Sequence, residues 1–167
     1  MAFDGNNYMC TSFKQELLEA VHNFKVSGGS TFQIALYTNS AAGNNGFGGT
    51  STDMDETITN YSSNNEVTGT GYVQGNKTLD RVNPTTGQGQ GGTAAEEKTA
   101  YTSFLSSSAI WASSTITARG ALIWNDTASN DAAVIVLEFG SDKSSSSGDF
   151  KVVFPTAAAG SPIIRIA

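Results

Sequence analysis

Between Trp111 and Pro155 the chain carries three strongly strand-forming segments, TITARGALIW, AAVIVLEF and DFKVVF, separated by runs of Ser, Asn, Asp and Gly. In the first, Ile116, Ala118, Gly120, Leu122 and Trp124 share one face and Thr115, Thr117, Arg119, Ala121 and Ile123 the other, because a pleated strand alternates its side chains. The second is apolar on both faces until Glu138, the pattern of a central strand covered on both sides. In the third, Phe150 and Phe154 flank Val152 on one face. The intervening NDTASND and GSDKSSSSGD consist of turn-forming residues, so three consecutive antiparallel strands joined by two turns are expected. The closing SPIIRIA would be costly to leave in water, and it is expected to pair with a sheet edge of its own chain or of a neighbour.

A further strand is expected at TFQIALYT, where Phe32, Ile34 and Leu36 alternate with Gln33, Ala35 and Tyr37 as in a half-buried strand. Only one segment has a helical period: Phe13, Leu17, Ala20, Val21 and Phe24 form one stripe. The expectation is an amphipathic helix over about residues 12–26, with Ser12 as N-cap, Gln15 as its capping-box partner, and Gly28 and Gly29 ending it. A long exposed loop should follow over about residues 39–56, with Phe47 either a plug on the domain or an anchor in a partner. Short strands are expected around Val67, Tyr72 and Thr78 to Val82, and GQGQGG reads as flexible punctuation. TAAEEKTAYTSFL reads equally as a helical turn or as a loop leading into a strand near Tyr101 to Leu105. At 167 residues one domain is the default, so residues 1–167 are read as a single, mainly β, antiparallel domain with one N-terminal helix.

Fifteen acidic against nine basic residues give a net charge of −6, and the lysines and arginines are scattered singly, which argues against nucleic-acid and anionic-membrane partners. Cys10 is the only cysteine, which excludes an internal disulfide and a cysteine-based zinc cage; it is expected to be a small buried hydrophobe. No signal-peptide pattern and no apolar run long enough for a membrane span is present, so use without secretion is expected.

Motifs that could carry chemistry lack their contexts. Asp53, Asp55 and Thr57 spell D-x-D-x-T, as in dehalogenase-type phosphatases, but NNGFGGTST precedes them where a buried strand is needed. Asp53, Asp55 and Glu56 form at most a weak calcium site. Gly69, Gly71 and Gly75 lack the strand and helix of a phosphate cradle and read as strand-turn positions. His22, the sole histidine, falls on the solvated side of the expected helix, and no serine lies in a nucleophile elbow. No enzyme activity, cofactor or metal is expected. Arg119 interrupts a small, apolar strand; it either pairs with an acidic residue on an adjacent strand or meets another subunit. Trp111 and Trp124 are expected most simply in the core or between sheets, and equally as contact anchors if the sheet lies at the surface.

The blocks FQIALYTNSA, NEVTGTGYVQGNKTL, WASSTITARGALIW and LEFGSDKSSSSGDFKVVFP, in that order and followed by an Ile-rich end, resemble a family of small virion structural proteins of tailed bacteriophages, including cyanophages. The resemblance implies a capsid or tail component of the virion without an active site; the strand count and size suit the compact antiparallel β-sandwich, jelly-roll-like, of phage capsid cement or decoration proteins, and that is the expected role. Its partners would be the major capsid protein and copies of itself, as a dimer or trimer. A tail-associated adaptor or receptor-binding module is the alternative, motivated by Phe47, Tyr61 and Tyr72 among small polar residues. Phe47, Arg119, Ile163, Ile164 and Ile166 are the candidate interface residues.

Overall fold

One long antiparallel hairpin organises the molecule, formed by β6 (Ile110–Asn125) and β7 (Ala132–Lys151). The computed structural model describes residues 7–41, 54–88, 97–156 and 162–166. The other elements are β1 (Tyr8–Met9), α1 (Thr11–Leu18), β2 (Phe32–Tyr37), β3 (Thr78–Leu79), β4 (Thr85–Gln88), β5 (Glu97–Thr102) and β8 (Ile164–Ile166). They make a five-stranded antiparallel sheet in the order β1-β7-β6-β2-β3 and a three-stranded antiparallel sheet in the order β4-β5-β8. Among the described residues the protein is thus mainly β, with one short α-helix and one 3-10 turn at Asn39–Ala41.

The first expected turn forms where NDTASND stands: Asn125 Oδ1 accepts from the Thr127 amide at 3.0 Å, and Asp131 takes the left-handed conformation that closes the turn (φ 51°). The second expected turn does not exist. GSDKSSSSGD lies within β7, paired from Lys143 to Lys151 with Ala118 to Ile110. Hydroxyl groups hold this half of the ladder. Ser114 and Ser145 meet Oγ to Oγ at 2.7 Å, Thr117 and Ser144 meet at 2.7 Å, and the Ser147 amide donates to Thr115 Oγ1 at 2.9 Å. Cross-strand hydroxyl pairs stabilise a sheet much as apolar pairs do, but they leave no hydrophobic alternation in the sequence.

The helix is shorter than its apolar stripe. Cys10, not Ser12, is its N-cap, and it makes no side-chain capping bond. The first orphan amide, Thr11 N–H, donates instead to the Glu56 carbonyl at 2.7 Å. At the other end Val21 N–H reaches Glu16 O at 3.0 Å and Ala20 N–H reaches Leu17 O at 3.3 Å, while Ala20 sits at φ 58°. This is the Schellman arrangement with alanine where glycine is usual. Gly28 and Gly29 therefore do not end the helix. Beyond it the chain runs extended, with His22 and Phe24 buried and Val21, Asn23 and Lys25 exposed.

All six residues of β2 are buried, so this strand is central rather than half-buried. On one face, Phe24 stacks on Phe32 with ring centroids 4.4 Å apart, Phe104 meets Phe32 at 5.6 Å, and Phe154 meets Phe104 at 5.8 Å. On the other, Tyr37 Oη donates to the Ser62 carbonyl at 2.6 Å and Tyr61 stacks on Trp124 at 4.2 Å. A single continuous core results, including the expected Trp111 and Trp124, Cys10 and the strand residues Ile116, Ala118 and Leu122. Burial pushes the Cys10 thiol up to about 12, which leaves it protonated and inert as a nucleophile.

Of the expected middle strands, Thr78–Leu79 forms β3, Glu66 makes an isolated bridge to Tyr37, and Tyr72 lies in a loop. Within TAAEEKTAYTSFL, Glu97–Thr102 forms the strand β5; Gly87 and Gln88, read as punctuation, belong to β4. The apolar tail pairs within its own chain, Ile164 opposite Thr102 and Ile166 opposite Ala100.

Candidate interaction surface

The structure gathers partly buried apolar side chains around the exposed Val153, beside the outer edge of β7. Opposite Arg119, β7 carries four residues, 139–142, between the Gly120–Glu138 and Ala118–Lys143 pairs. This bulge is anchored by charge. Arg119 Nε donates to Glu138 Oε1 at 2.8 Å, Gly140 N–H donates to the same oxygen at 3.2 Å, and Glu138 N–H donates to Asn7 Oδ1 at 2.8 Å. Gly140 turns the chain at φ 73°, a conformation costly to residues with a Cβ. The expected acidic neighbour of Arg119 on an adjacent strand is thus Glu138, whose side chain is 1% exposed.

The bulge sets Phe139 near Phe150, ring centroids 6.2 Å apart. Two hollows adjoin there and share Phe139, Val152 and Val153. One, about 460 Å³, is bounded by Tyr8, Met9, Leu137, Phe154, Pro155, Pro162 and Ile163; the other, about 510 Å³, by Lys143, Ser144, Asp149, Phe150 and Lys151. Val153 stands 73% exposed between them. A groove with this lining offers apolar burial rimmed by charge, which suits a protein surface better than a proton-transfer site.

The sequence-derived interface residues scatter around this surface. Ile163 lines the groove, but Ile164 is buried in the core and Ile166 lies 57% exposed at the other end of the short β8. Ile166 faces a separate hollow of about 400 Å³ with Leu17, Phe24 and Tyr101. Arg119 is engaged with Glu138. Phe47 and Asp53 lie outside the described residues, while Asp55 Oδ1 accepts from the Thr57 amide at 2.8 Å and from its hydroxyl at 2.6 Å, a local turn. Among the described residues no group of three His, Cys, Asp or Glu is arranged to hold a metal, and no helix is long and apolar enough to cross a membrane.

Two polar centres that sequence reasoning missed are structural. Glu66 is buried and accepts from Tyr61 Oη and Tyr72 Oη, each at 2.6 Å, and from Gly75 N–H at 2.9 Å. Tyr72 Oη in turn accepts from Leu36 N–H at 2.8 Å. Burial first, and then the Glu66 carboxylate, hold both phenols well above the usual tyrosine range. Tyr61 and Tyr72 therefore fasten a loop instead of projecting from it. The loop crosses β6 where Gly69 and Gly71 allow it: a Cβ on Gly71 would lie 2.9 Å from Ser114 Cα, and one on Gly69 2.4 Å from Thr115 O. His22, expected on the solvated side, is buried between Phe13 at 4.8 Å and Phe32 at 6.4 Å. Its Nε2 lies 2.8 Å from Glu16 Oε2 and its Nδ1 3.2 Å from Asn125 Nδ2.

The signal for the groove was present in DFKVVF. Val153 occupies the position where a half-exposed strand would carry a polar residue. No family model, no curated protein and no solved structure matches the chain.

Proposed function

We propose that this chain is a non-enzymatic structural component of a tailed-phage virion: a capsid cement or decoration protein, of β-sandwich and jelly-roll-like type, that binds the outer shell and ties neighbouring subunits together. The observation that carries this reading is the apolar groove around the exposed Val153, flanked by the long outer edge of β7. A surface of that kind gains free energy only when a neighbour dries it. The ionisable side chains Glu66, Glu138 and His22 are committed to holding the fold, which is the use expected of them in a building block. Many modest contacts of this sort stabilise an assembled shell by mass action, because they exist only in the assembled state. The major capsid protein and further copies of this chain are the partners that follow.

Quantitative densitometry of purified particles tests the reading. A decoration protein should approach the major capsid protein in copy number and sit on the head; a handful of copies confined to the tail would overturn it.

A further inference from the structure

Beyond the short pairing of Ile135 and Val136 with β1, the outer edge of β7 from Lys143 to Lys151 carries no strand among the described residues. Such an edge is a template for strand addition, and proteins guard it with lysines and bulges. Both guards are present. Lys143 and Lys151 bracket the segment, and Ser147 lies at φ 51°. Ile116 opposes Ser145 and Ser114 opposes Gly148, so Ser146 and Ser147 together stand opposite Thr115. The extra residue exchanges the faces. Lys143, Ser145, Gly148 and Phe150 oppose the buried Ala118, Ile116, Ser114 and Trp111, which leaves Ser144, Asp149 and Lys151 on the outward face.

An arbitrary straight strand meets this edge out of phase, but a second copy carries the same bulge. We propose that two copies of the chain join antiparallel along this edge, about a two-fold axis passing between Ser146 and Ser147, so that the five-stranded sheet continues from one copy into the other. In the register that keeps like faces together, Lys151 stands opposite Asp142 of the other copy, Asp149 opposite Ser144, and Lys143 opposite Phe150. The Lys151–Asp142 pairing occurs twice by symmetry, and the serines and Gly148 between are small enough for close backbone approach. Both Lys151 and Asp142 are exposed in the single chain, where Asp142 Oδ1 also lies 3.9 Å from Arg119 Nη1. A one-residue slip would turn one copy's outward residues toward the other's inner face, which gives the joint its specificity.

This inference deepens the self-association within the proposed function. It is tested on the isolated chain, so its failure and that of shell binding are separable. Sedimentation equilibrium of the full chain should show a dimer. Lys151→Asp and Asp142→Lys should each weaken it by about tenfold or more through like-charge apposition, and the double exchange should restore it, with circular dichroism reporting that each variant is folded. Ser146→Cys provides a second measurement, since oxidation should cross-link two copies next to the axis while the buried Cys10 stays free. A monomeric wild type, a dimer indifferent to the charge reversals, or an absent Ser146→Cys cross-link would each overturn the proposal.

Discussion

Arg119 on β6 and Glu138 on β7 meet at 2.8 Å at the bulge where β7 carries four residues between the Gly120–Glu138 and Ala118–Lys143 pairs. The carboxylate is nearly fully buried and the guanidinium about a quarter exposed, so the pair both closes the bulge and places Phe139 over the groove. Removing one partner of a buried pair strands the other. Arg119→Ala should lower the unfolding free energy by about 2 kcal/mol, less than for a fully buried pair because solvent reaches the arginine. Urea denaturation measures this, and a loss below a few tenths of a kcal/mol would show that the bulge does not depend on the pair.

Glu66 gathers two phenols and an amide around one buried carboxylate. Glu66→Gln keeps the size but removes the charge and replaces one acceptor oxygen with an amide donor. Hydrogen bonds to a charged acceptor contribute about 1.5–3 kcal/mol each, and part of that survives in the amide. A destabilisation of about 2–3 kcal/mol is expected by chemical denaturation. The loop over β6 should also lose hydrogen-exchange protection at Val67, whose amide donates to Leu36 O at 2.8 Å.

The surroundings of His22 specify its tautomer. Asn125 Oδ1 accepts from Thr127 N–H at 3.0 Å, which turns Asn125 Nδ2 toward His22 Nδ1 as a donor. Nδ1 is then the acceptor, and Nε2–H donates to Glu16. Burial lowers the His22 pKa from 6.5, with the Glu16 hydrogen bond opposing in part. A depressed folded-state pKa means that the unfolded chain binds the proton first. This contribution to stability is complete above pH 6.5 and is lost as the pH falls through the lower folded value. Unfolding free energies of the wild type should therefore decline more steeply than those of His22→Gln on acidification from pH 6.5. Parallel pH profiles would assign the acid sensitivity elsewhere.

Ala20 holds a left-handed conformation at an exposed helix end, φ 58°. Glycine adopts that region without the Cβ penalty. Ala20→Gly should raise the unfolding free energy by about 0.5–1 kcal/mol, a gain reduced by the greater entropy of the unfolded glycine. Thermal denaturation would show it as a higher midpoint; a lower one would contradict the capping geometry.

The legible parts of this chain were those whose burial follows a period. TITARGALIW and AAVIVLEF announce two central strands because one or both faces of each are dry, and the NDTASND turn between them needs only local chemistry. KSSSSGD was not legible as strand because its ladder is made with hydroxyls that equally favour turns. The helix stripe overran because its end at Ala20 is signalled by no glycine, and the alternation His22–Phe24 that follows happens to fit a helical wheel. That same error put His22 on the wrong side. Of the interface residues, Ile163 lines the groove, whereas Arg119 pairs with Glu138 and Ile164 is buried in the core, placements that sequence spacing does not reveal. Phe139 and Phe150 meet only because the bulge opposite Arg119 brings them together.

The proposed binding to the shell depends on the surface around Val153. Val153→Asp leaves the core untouched, since the side chain it replaces stands largely in solvent, but it would bury a charge in any partner seated on the groove. Binding of purified chain to assembled shells lacking it, measured by co-sedimentation, should fall by about tenfold or more for Val153→Asp while the thermal midpoint stays at the wild-type value. Undiminished binding by the folded variant would contradict the account.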